Sequence, residues 1–473
     1  MQTVNKIRRW VETAPERLAY SYCGRSLSYL ELWQGAERLS SILSQYLAPS
    51  VVLFGEKEPE LLIGMLACLL AGKTYVPLSV QTPSERFRQI LDSLGDCTVL
   101  SESATCPFRE SLPIRELLAL TPPPFKGPVD ESAPAYVIFT SGSSGVPKGV
   151  PISRKNLDNF TAWIGRLRPM QLPAPARVLN QASFSFDLSV ADIYFSLCGG
   201  HTLYGMPPGL SEAPEALFSF LRETSPQAAV CTPTFLKLCL TDRSFAEALM
   251  PELRVVYSCG EILENATAEK LLRRFPKLRL INAYGPTEAT SAVCAAEITR
   301  ELAASEDALP VGVLEEAACR IEIVDGEIVL KGDSVFSGYL DGRTGGYYTE
   351  NGIPCFRTGD LGSVRNGSIY CQGRGDRQVK WKGYRVELDE IEQAILSLPA
   401  VSGCAVLAKK TNTGVVRMIK AFIVTEADVS IEAIRKELEK KLPDYMIPRS
   451  IQRLREIPVT ENGKTDRKRL EAL

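Results

Sequence analysis

The stretch from Thr140 to Gly149 reads TSGSSGVPKG and concentrates groups suited to holding a polyanion. Thr140, Ser141, Ser143 and Ser144 bring hydroxyls, Gly142 and Gly145 bring accessible backbone N–H groups, and Lys148 brings a cation. Against the phosphate-loop template G-x-x-x-x-G-K-[ST], Gly142 opens the match and Lys148 holds the lysine place. Pro147 replaces the last glycine, however, and Gly149 replaces the Ser/Thr. Proline has no N–H to offer a phosphate and glycine no hydroxyl for Mg²⁺, so the grip of a Walker loop on β- and γ-phosphates is missing. This argues against a Walker-type kinase or GTPase. Two readings stay open from the stretch alone: a mobile phosphate-holding loop, and an ordinary Gly/Ser surface turn.

Other chemistries are narrowed by what the chain lacks. It holds a single histidine, His201, in CGGHTLYG. Histidine is the usual general base and the commonest metal ligand, so hydrolase triads and His-rich metal sites are disfavoured, and His201 itself reads as a satisfied turn residue. Thirteen cysteines at irregular spacings, none in C-x-x-C, indicate neither a disulfide framework nor a zinc site. With 45% apolar and 23% charged residues and a formal net charge of -2, the chain has no electrostatic footprint for nucleic acid. The apolar run Leu61 to Gly72 is too short to span a bilayer and reads as a buried helix. The first residues lack the apolar region of a secretory signal, so a cytoplasmic protein without membrane insertion is expected.

The elements that must carry the loop follow from length and periodicity. At 473 residues the chain exceeds what one core usually supports, and two or more domains are expected. PAYVIFT reads as a buried strand entering the loop. Beyond the loop, Ser153 caps a helix with Leu157, Phe160, Trp163, Ile164 and Leu167 on one face. KLRLI running into NAYGPTEAT repeats the pattern of a strand ending in a polar loop, and ligands of open α/β sheets bind at such strand ends. The texture then changes: Asp325-Gly326 and Asn366-Gly367 stand between alternating runs and predict antiparallel hairpins. Near the C-terminus a helix with Leu388, Ile391, Ile395 and Leu398 in register, two strands and a helix capped by Ser430 predict a small α+β domain. The expected fold is therefore α/β: residues 1–375 as a large domain of layered α/β sheets with a β-rich subdomain, and residues 376–473 as a small mobile α+β domain. GRGDRQ at their junction reads as an exposed hinge.

Taken together, YVIFTSGSSGVPKGV, FSFDLSVADIY, NAYGPTEAT, FRTGDLG, GRGDRQVKWKGYRVELDEIE and ENGKTDRKRL occur in the order found in the adenylate-forming superfamily. The chain resembles its amino-acid adenylation domains over nearly its whole length, and FSFDLSVADIY and SCGE resemble the subgroup that activates D-alanine and loads it on carrier proteins. The resemblance implies an AMP-forming ligase: ATP and Mg²⁺ activate an amino acid as its adenylate, pyrophosphate leaves, and the aminoacyl group passes to the phosphopantetheine thiol of a carrier. It places Thr140, Ser141, Gly142, Ser143, Ser144, Gly145 and Lys148 on the leaving phosphates. It sets Gly260, Asn282, Ala283 and Tyr284 around the adenine, Thr287 at the α-phosphate, and Asp360 and Arg374 on the ribose side. Glu288 is implied as the Mg²⁺ ligand, Lys464 as the catalytic cation between carboxylate and α-phosphate, Asp376 as the hinge and Gly383 as lining for the thiol's path. A carboxylate is already a nucleophile, so no general base is required, which agrees with the scarcity of histidine.

By the same resemblance Asp187 holds the substrate's ammonium group, and Ala191, Val230, Tyr257, Cys259, Ala283, Ser291 and Ala292 surround its side chain. These are mostly small or apolar, so a small amino acid is expected, D-alanine first. Ala191 and Ser291 depart from the bulkier apolar residues of that subgroup and leave room for L-alanine or serine. An acyl- or aryl-CoA ligase of the same superfamily is disfavoured because it would strand Asp187 without a cation. A nucleotide binder without catalysis would have no need of Lys464, Glu288 and Asp360 together. LDSL at Leu91 to Leu94 imitates a carrier's pantetheine site, but Ser93 is expected to be an ordinary helix residue, and the acceptor is expected to be a separate protein.

Overall fold

The computed structural model describes the chain apart from residues 103–105, 128, 131, 143–144, 426–428 and 461–463. It forms two compact units. The first comprises Met1–Val80, Leu94–Ile138 and Val150–Gln372, and the second Gln81–Ser93, Phe139–Gly149 and Gly373–Leu473.

In the first unit, eight strands form one sheet in the order Cys294–Ile298, Arg279–Tyr284, Val255–Ser258, Ala228–Cys231, Arg177–Asn180, Thr202–Gly205, Leu18–Tyr22, Arg25–Ser28. Its six central strands pair in parallel and both edge strands are antiparallel. Arg177–Asn180 is flanked on one side by the next strand in sequence and on the other by the one after, so strand order reverses here. Such a switch point opens a crevice at the carboxyl ends of the strands. A second sheet runs Leu112–Pro113, Cys97–Ser101, Ser50–Phe54, Thr74–Leu78, Tyr136–Thr140, Lys148–Ile152. Helix Pro59–Ala71 is buried almost throughout, as its uninterrupted apolar run requires, and stops at Gly72 in the left-handed conformation. Ser153 caps helix Arg154–Ile164 by accepting from the Asn156 N–H. That helix closes at Gly165, one turn short of Leu167, which is buried beyond it.

The antiparallel sheet built on Gly312–Val313, Ser368–Arg374, Ile353–Arg365, Glu327–Lys331 and Arg320–Val324 contains both expected hairpins. Asp325-Gly326 and Asn366-Gly367 take positive φ at both positions, the type I′ geometry that matches strand twist. His201 is buried: its Nδ1 accepts from the Ala176 N–H at 3.2 Å and its ring lies 5.1 Å from Phe195. All thirteen cysteines are thiols. Among the described residues no helix is long and apolar enough to cross a membrane.

The second unit holds the hairpin Gln378–Trp381 and Tyr384–Glu387, helix Leu388–Leu396, and a sheet of Val401–Lys410, Val416–Thr425 and Ser450–Arg453. Helix Ile431–Glu439 is capped by Ser430. Val386, Ile391, Ile395, Ala421, Leu438 and Met446 form its core, and Tyr384 stacks on Tyr445 with ring centroids 3.7 Å apart. Helix Ser84–Leu94 carries Ser93 as an ordinary helical residue, its hydroxyl donating to the Gln89 carbonyl at 2.9 Å.

Candidate active site

The predicted residues of the first unit gather at the carboxyl ends of its parallel strands. Asp187 immediately precedes helix Leu188–Gly199, Val230 and Tyr257 are register partners on adjacent strands, and Ala283 lies near the end of Arg279–Tyr284. Cys259 and Gly260 follow strand Val255–Ser258 directly. Paired residues of neighbouring parallel strands share a face. Ala191, Val230, Tyr257, Cys259, Ala283 and Ala292 are all buried within the unit's large hydrophobic core. The backbone then turns sharply: a Cβ on Gly285 would lie 2.4 Å from Ala292 Cα, and Thr290 and Ser291 both take positive φ. Left-handed non-glycine residues are costly, and they concentrate where a site over-determines the chain. The buried hydroxyls of Tyr257 and Ser291 have no hydrogen-bond partner among the described residues.

Polar groups at this edge are joined in pairs. Thr287 Oγ1 donates to Asp187 Oδ2 at 2.5 Å, and the Tyr284 hydroxyl donates to Asp360 Oδ2 at 2.6 Å. The Tyr339 hydroxyl donates to Glu288 Oε1 at 2.5 Å, while Asn282 Nδ2 donates to the Pro310 carbonyl at 2.9 Å. Burial, reinforced by the Asp360 charge, pushes the Tyr284 phenol well above its ordinary pKa, so it stays a donor. Behind this edge, Asp192 accepts from Asn180 Nδ2 at 2.9 Å, and Lys57 Nζ donates to the Asn180 and Gln181 carbonyls at 3.2 and 3.0 Å. Burial pulls the Lys57 ammonium down to about 8 and raises Asp192. The pair ties strand Arg177–Asn180 to the helix that Asp187 begins.

An implied Mg²⁺ finds one carboxylate here. Among the described residues no three metal-binding side chains converge, and Glu288 is fully buried. Mg²⁺ keeps several waters and is bound through one or two carboxylates plus substrate phosphates, so the residues fit an ion that arrives with a nucleotide.

The second unit contains the described part of the Thr140–Gly149 loop; Ser143 and Ser144 lie outside the described residues. A Cβ on Gly142 would meet the Val146 carbonyl oxygen at 2.1 Å, so only glycine fits that tight turn. Gly145 has φ +78, and its N–H donates to the Gly142 carbonyl. The Thr140 hydroxyl is buried with no partner among the described residues, an orphan that suits a ligand-holding loop. Ser141 Oγ donates to the Arg385 carbonyl at 2.8 Å, the Gly142 N–H to Glu390 Oε2 at 2.9 Å, and Lys148 Nζ lies 3.3 Å from Glu387 Oε1. Arg374 pairs with both oxygens of Asp376, at 2.7 and 2.6 Å. Lys382 and Gly383 both have positive φ and form the two-residue turn of the Gln378–Glu387 hairpin. Lys464 is exposed and directly precedes Thr465, which bridges to Val459. Sequence reasoning assigned no role to Tyr339, Lys57, Asp192, Arg86, Glu387 or Glu390: Asp192, Glu387 and Glu390 lie inside the recognised motifs, but their spacing there names no partner, and the partners of Tyr339, Lys57 and Arg86 are 51, 123 and 304 residues away.

A doubly wound sheet with carboxylates and hydroxyls at its switch-point edge, a phosphate-type loop and a small α+β unit together define an adenylate-forming enzyme. The chain belongs to the AMP-binding enzyme family: the family model matches residues 7–340, and the AMP-binding enzyme C-terminal domain matches 390–464. It is 37% identical over 502 residues to a D-alanine--D-alanyl carrier protein ligase of Bacillus licheniformis, covering 99% of each chain. A relative of the same name from Bacillus cereus is 35% identical over 507 residues with the same coverage. Among solved structures, the Vibrio cholerae adenylation domain AlmE in complex with glycyl-adenosine-5'-phosphate superposes with TM-score 0.85 at 23% identity, covering 100% of this chain and 98% of that one. A holo NRPS protein with adenylation and PCP domains, bound to a vinylsulfonamide inhibitor, gives 0.84 at 27% identity, with 99% and 83% covered.

Proposed function

We propose that this AMP-forming ligase activates a small amino acid, D-alanine first, and transfers it to the phosphopantetheine thiol of a separate carrier protein in the cytoplasm. The observation that carries the reading is Asp187, held by Thr287 and close enough for its charge to act on the buried Tyr257, in a core that also contains Ala191, Val230, Cys259, Ala283 and Ala292. An acceptor-only carboxylate there suits an ammonium group, and neighbours without charge disfavour Lys, Asp or Glu side chains. Full-length relatives named for D-alanine support the choice of substrate.

In the first half-reaction a substrate carboxylate oxygen bonds to the α-phosphorus of ATP, the α–β bridging P–O bond breaks and pyrophosphate leaves. Tyr284 and Asn282 present a ring face and an amide to the adenine, and Asp360 accepts from the ribose hydroxyls. Arg374 adds a donor on the ribose side, with Gly260 and Ala283 giving the base room. Thr287 reaches the α-phosphate, and Glu288 would hold Mg²⁺, which supplies counter-charge to the phosphates. Lys464 neutralises charge accumulating between carboxylate and phosphate. In the second half-reaction the thiol sulfur bonds to the carbonyl carbon, the carbonyl–phosphate C–O bond breaks, and AMP and a proton leave. Residues 376–473 turn about Asp376 between the two steps, so that Lys464 serves the first and the Gly383 turn lines the thiol's path in the second.

Pyrophosphate exchange with D-Ala, L-Ala, Gly, both serines, valine and phenylalanine tests the substrate. The expected order is D-Ala above the other small residues and phenylalanine last. Preference for a large side chain would overturn the small-pocket reading, and L-Ala above D-Ala would overturn the stereochemical part alone.

A further inference from the structure

In the second unit two carboxylates engage donors of the Thr140–Gly149 segment. Glu390, on helix Leu388–Leu396, is buried; its Oε1 accepts from Arg86 at 2.6 Å and its Oε2 from the Gly142 N–H at 2.9 Å. Glu387 Oε1 takes Gln378 Nε2 at 2.7 Å and lies 3.3 Å from Lys148 Nζ, while Ser141 Oγ donates to the Arg385 carbonyl. The Ser141 hydroxyl, the Gly142 N–H and the Lys148 ammonium are thus all engaged by the short segment from Arg385 to Glu390. A two-oxygen anion between a guanidinium and a backbone N–H is the arrangement a phosphate oxygen pair would adopt. Two anions cannot share these donors, so pyrophosphate in the loop and Glu390 against Gly142 exclude each other.

Resting on the proposed two-step function, we propose that Glu390 is a positioning residue for the transfer half-reaction: it replaces the departed pyrophosphate at the Gly142 N–H and holds helix Leu388–Leu396 against that backbone while the thiol reacts. Pyrophosphate release becomes the condition for the second step, and pyrophosphate becomes a competitor of this chain's own carboxylate. Arg86 completes the device by orienting the carboxylate from helix Ser84–Leu94.

The test separates the half-reactions. Adenylation is read by pyrophosphate exchange, and transfer by mixing preformed D-alanyl adenylate with pantetheine at rising pyrophosphate. Glu390→Gln is expected to slow transfer about tenfold or more, to change exchange by less than about threefold, and to make pyrophosphate about tenfold more potent against transfer. Glu390→Asp, which keeps the charge, should recover part of each effect. Equal loss in both half-reactions, or unchanged pyrophosphate potency, would overturn the assignment. Hydrogen exchange on the unmutated protein provides a second readout that does not depend on a variant folding. Saturating pyrophosphate should slow exchange in 139–149 and speed it in 385–393, and unchanged exchange in 385–393 would overturn the competition. If the unmutated protein adenylates no amino acid, the proposed function fails instead, which the exchange assay shows separately.

Discussion

Replacing Asp187 by Asn tests the substrate site where its chemistry is sharpest. The side chain keeps its shape and its Oδ1 acceptor, and Thr287 Oγ1, now 2.5 Å from Asp187 Oδ2, retains a partner in one amide orientation. What disappears is the charge. A hydrogen bond to an ionised group contributes about 1.5–3 kcal/mol against about 0.5–1.5 for a neutral one, a net loss of roughly 1–1.5 kcal/mol. That corresponds to about a 5–12-fold fall in kcat/KM for the amino acid. The ammonium is present in ground and transition states alike, so the loss is uniform binding: KM for the amino acid should rise by about that factor while kcat stays within about threefold. KM for ATP should hardly move. Discrimination between D-alanine and propionate, which lacks the ammonium, should shrink in parallel. Steady-state pyrophosphate exchange, with the amino acid varied at saturating ATP and ATP varied at saturating amino acid, measures all of this. An unchanged amino-acid KM, or a loss confined to kcat, would refute the ammonium role.

Lys464→Ala should cost roughly 3 kcal/mol, about 150-fold, in adenylate formation with ATP affinity nearly intact, as single-turnover kinetics would show. Asp376→Pro removes the partner of Arg374 and the acceptor for the Gln378 N–H, and fixes φ at the proposed hinge; one half-reaction should fall by about tenfold or more and the other be largely spared. His201 is held at about 4 by burial and then by Arg17, below its unfolded value of 6.5, so the unfolded chain binds a proton in this window that the folded chain refuses. Its stabilisation is complete above pH 6.5 and is lost as pH falls towards 4, amounting to roughly 3 kcal/mol across the window. In denaturant titrations, the advantage of the unmutated protein over His201→Asn should therefore narrow between pH 7 and pH 4.5.

Local signals were legible where the cause is local. Asp325-Gly326 and Asn366-Gly367 announced hairpins because the turn needs two left-handed residues, and Ser153 and Ser430 announced helices because their hydroxyls accept from backbone N–H groups three residues on. The switch-point strand Arg177–Asn180 gave no such sign, since its place depends on which strands flank it. His201 read as a turn residue, and it stands between the left-handed Gly200 and strand Thr202–Gly205; its burial against Phe195 and its bond from Ala176 are tertiary. The site shows the same division. Family-type motifs contain Asp187, Thr287 and Asp360, yet the pairing of Thr287 with Asp187 spans 100 residues and that of Arg86 with Glu390 spans 304. No periodicity encodes such partners. Tyr339 was invisible because FSGYLDG carries no pattern pointing at a carboxylate 51 residues earlier.

Isotope transfer follows the bond that the proposed chemistry makes. D-alanine labelled with ¹⁸O in its carboxylate, incubated with ATP, Mg²⁺ and pantetheine, should deliver one labelled oxygen to AMP, because the oxygen that attacks the α-phosphorus stays with phosphorus when the thiol displaces AMP. Mass spectrometry of the nucleotide reads this directly. Labelled AMP, together with unlabelled pyrophosphate, is the predicted result; unlabelled AMP, or ADP and phosphate in its place, would contradict activation through an aminoacyl adenylate.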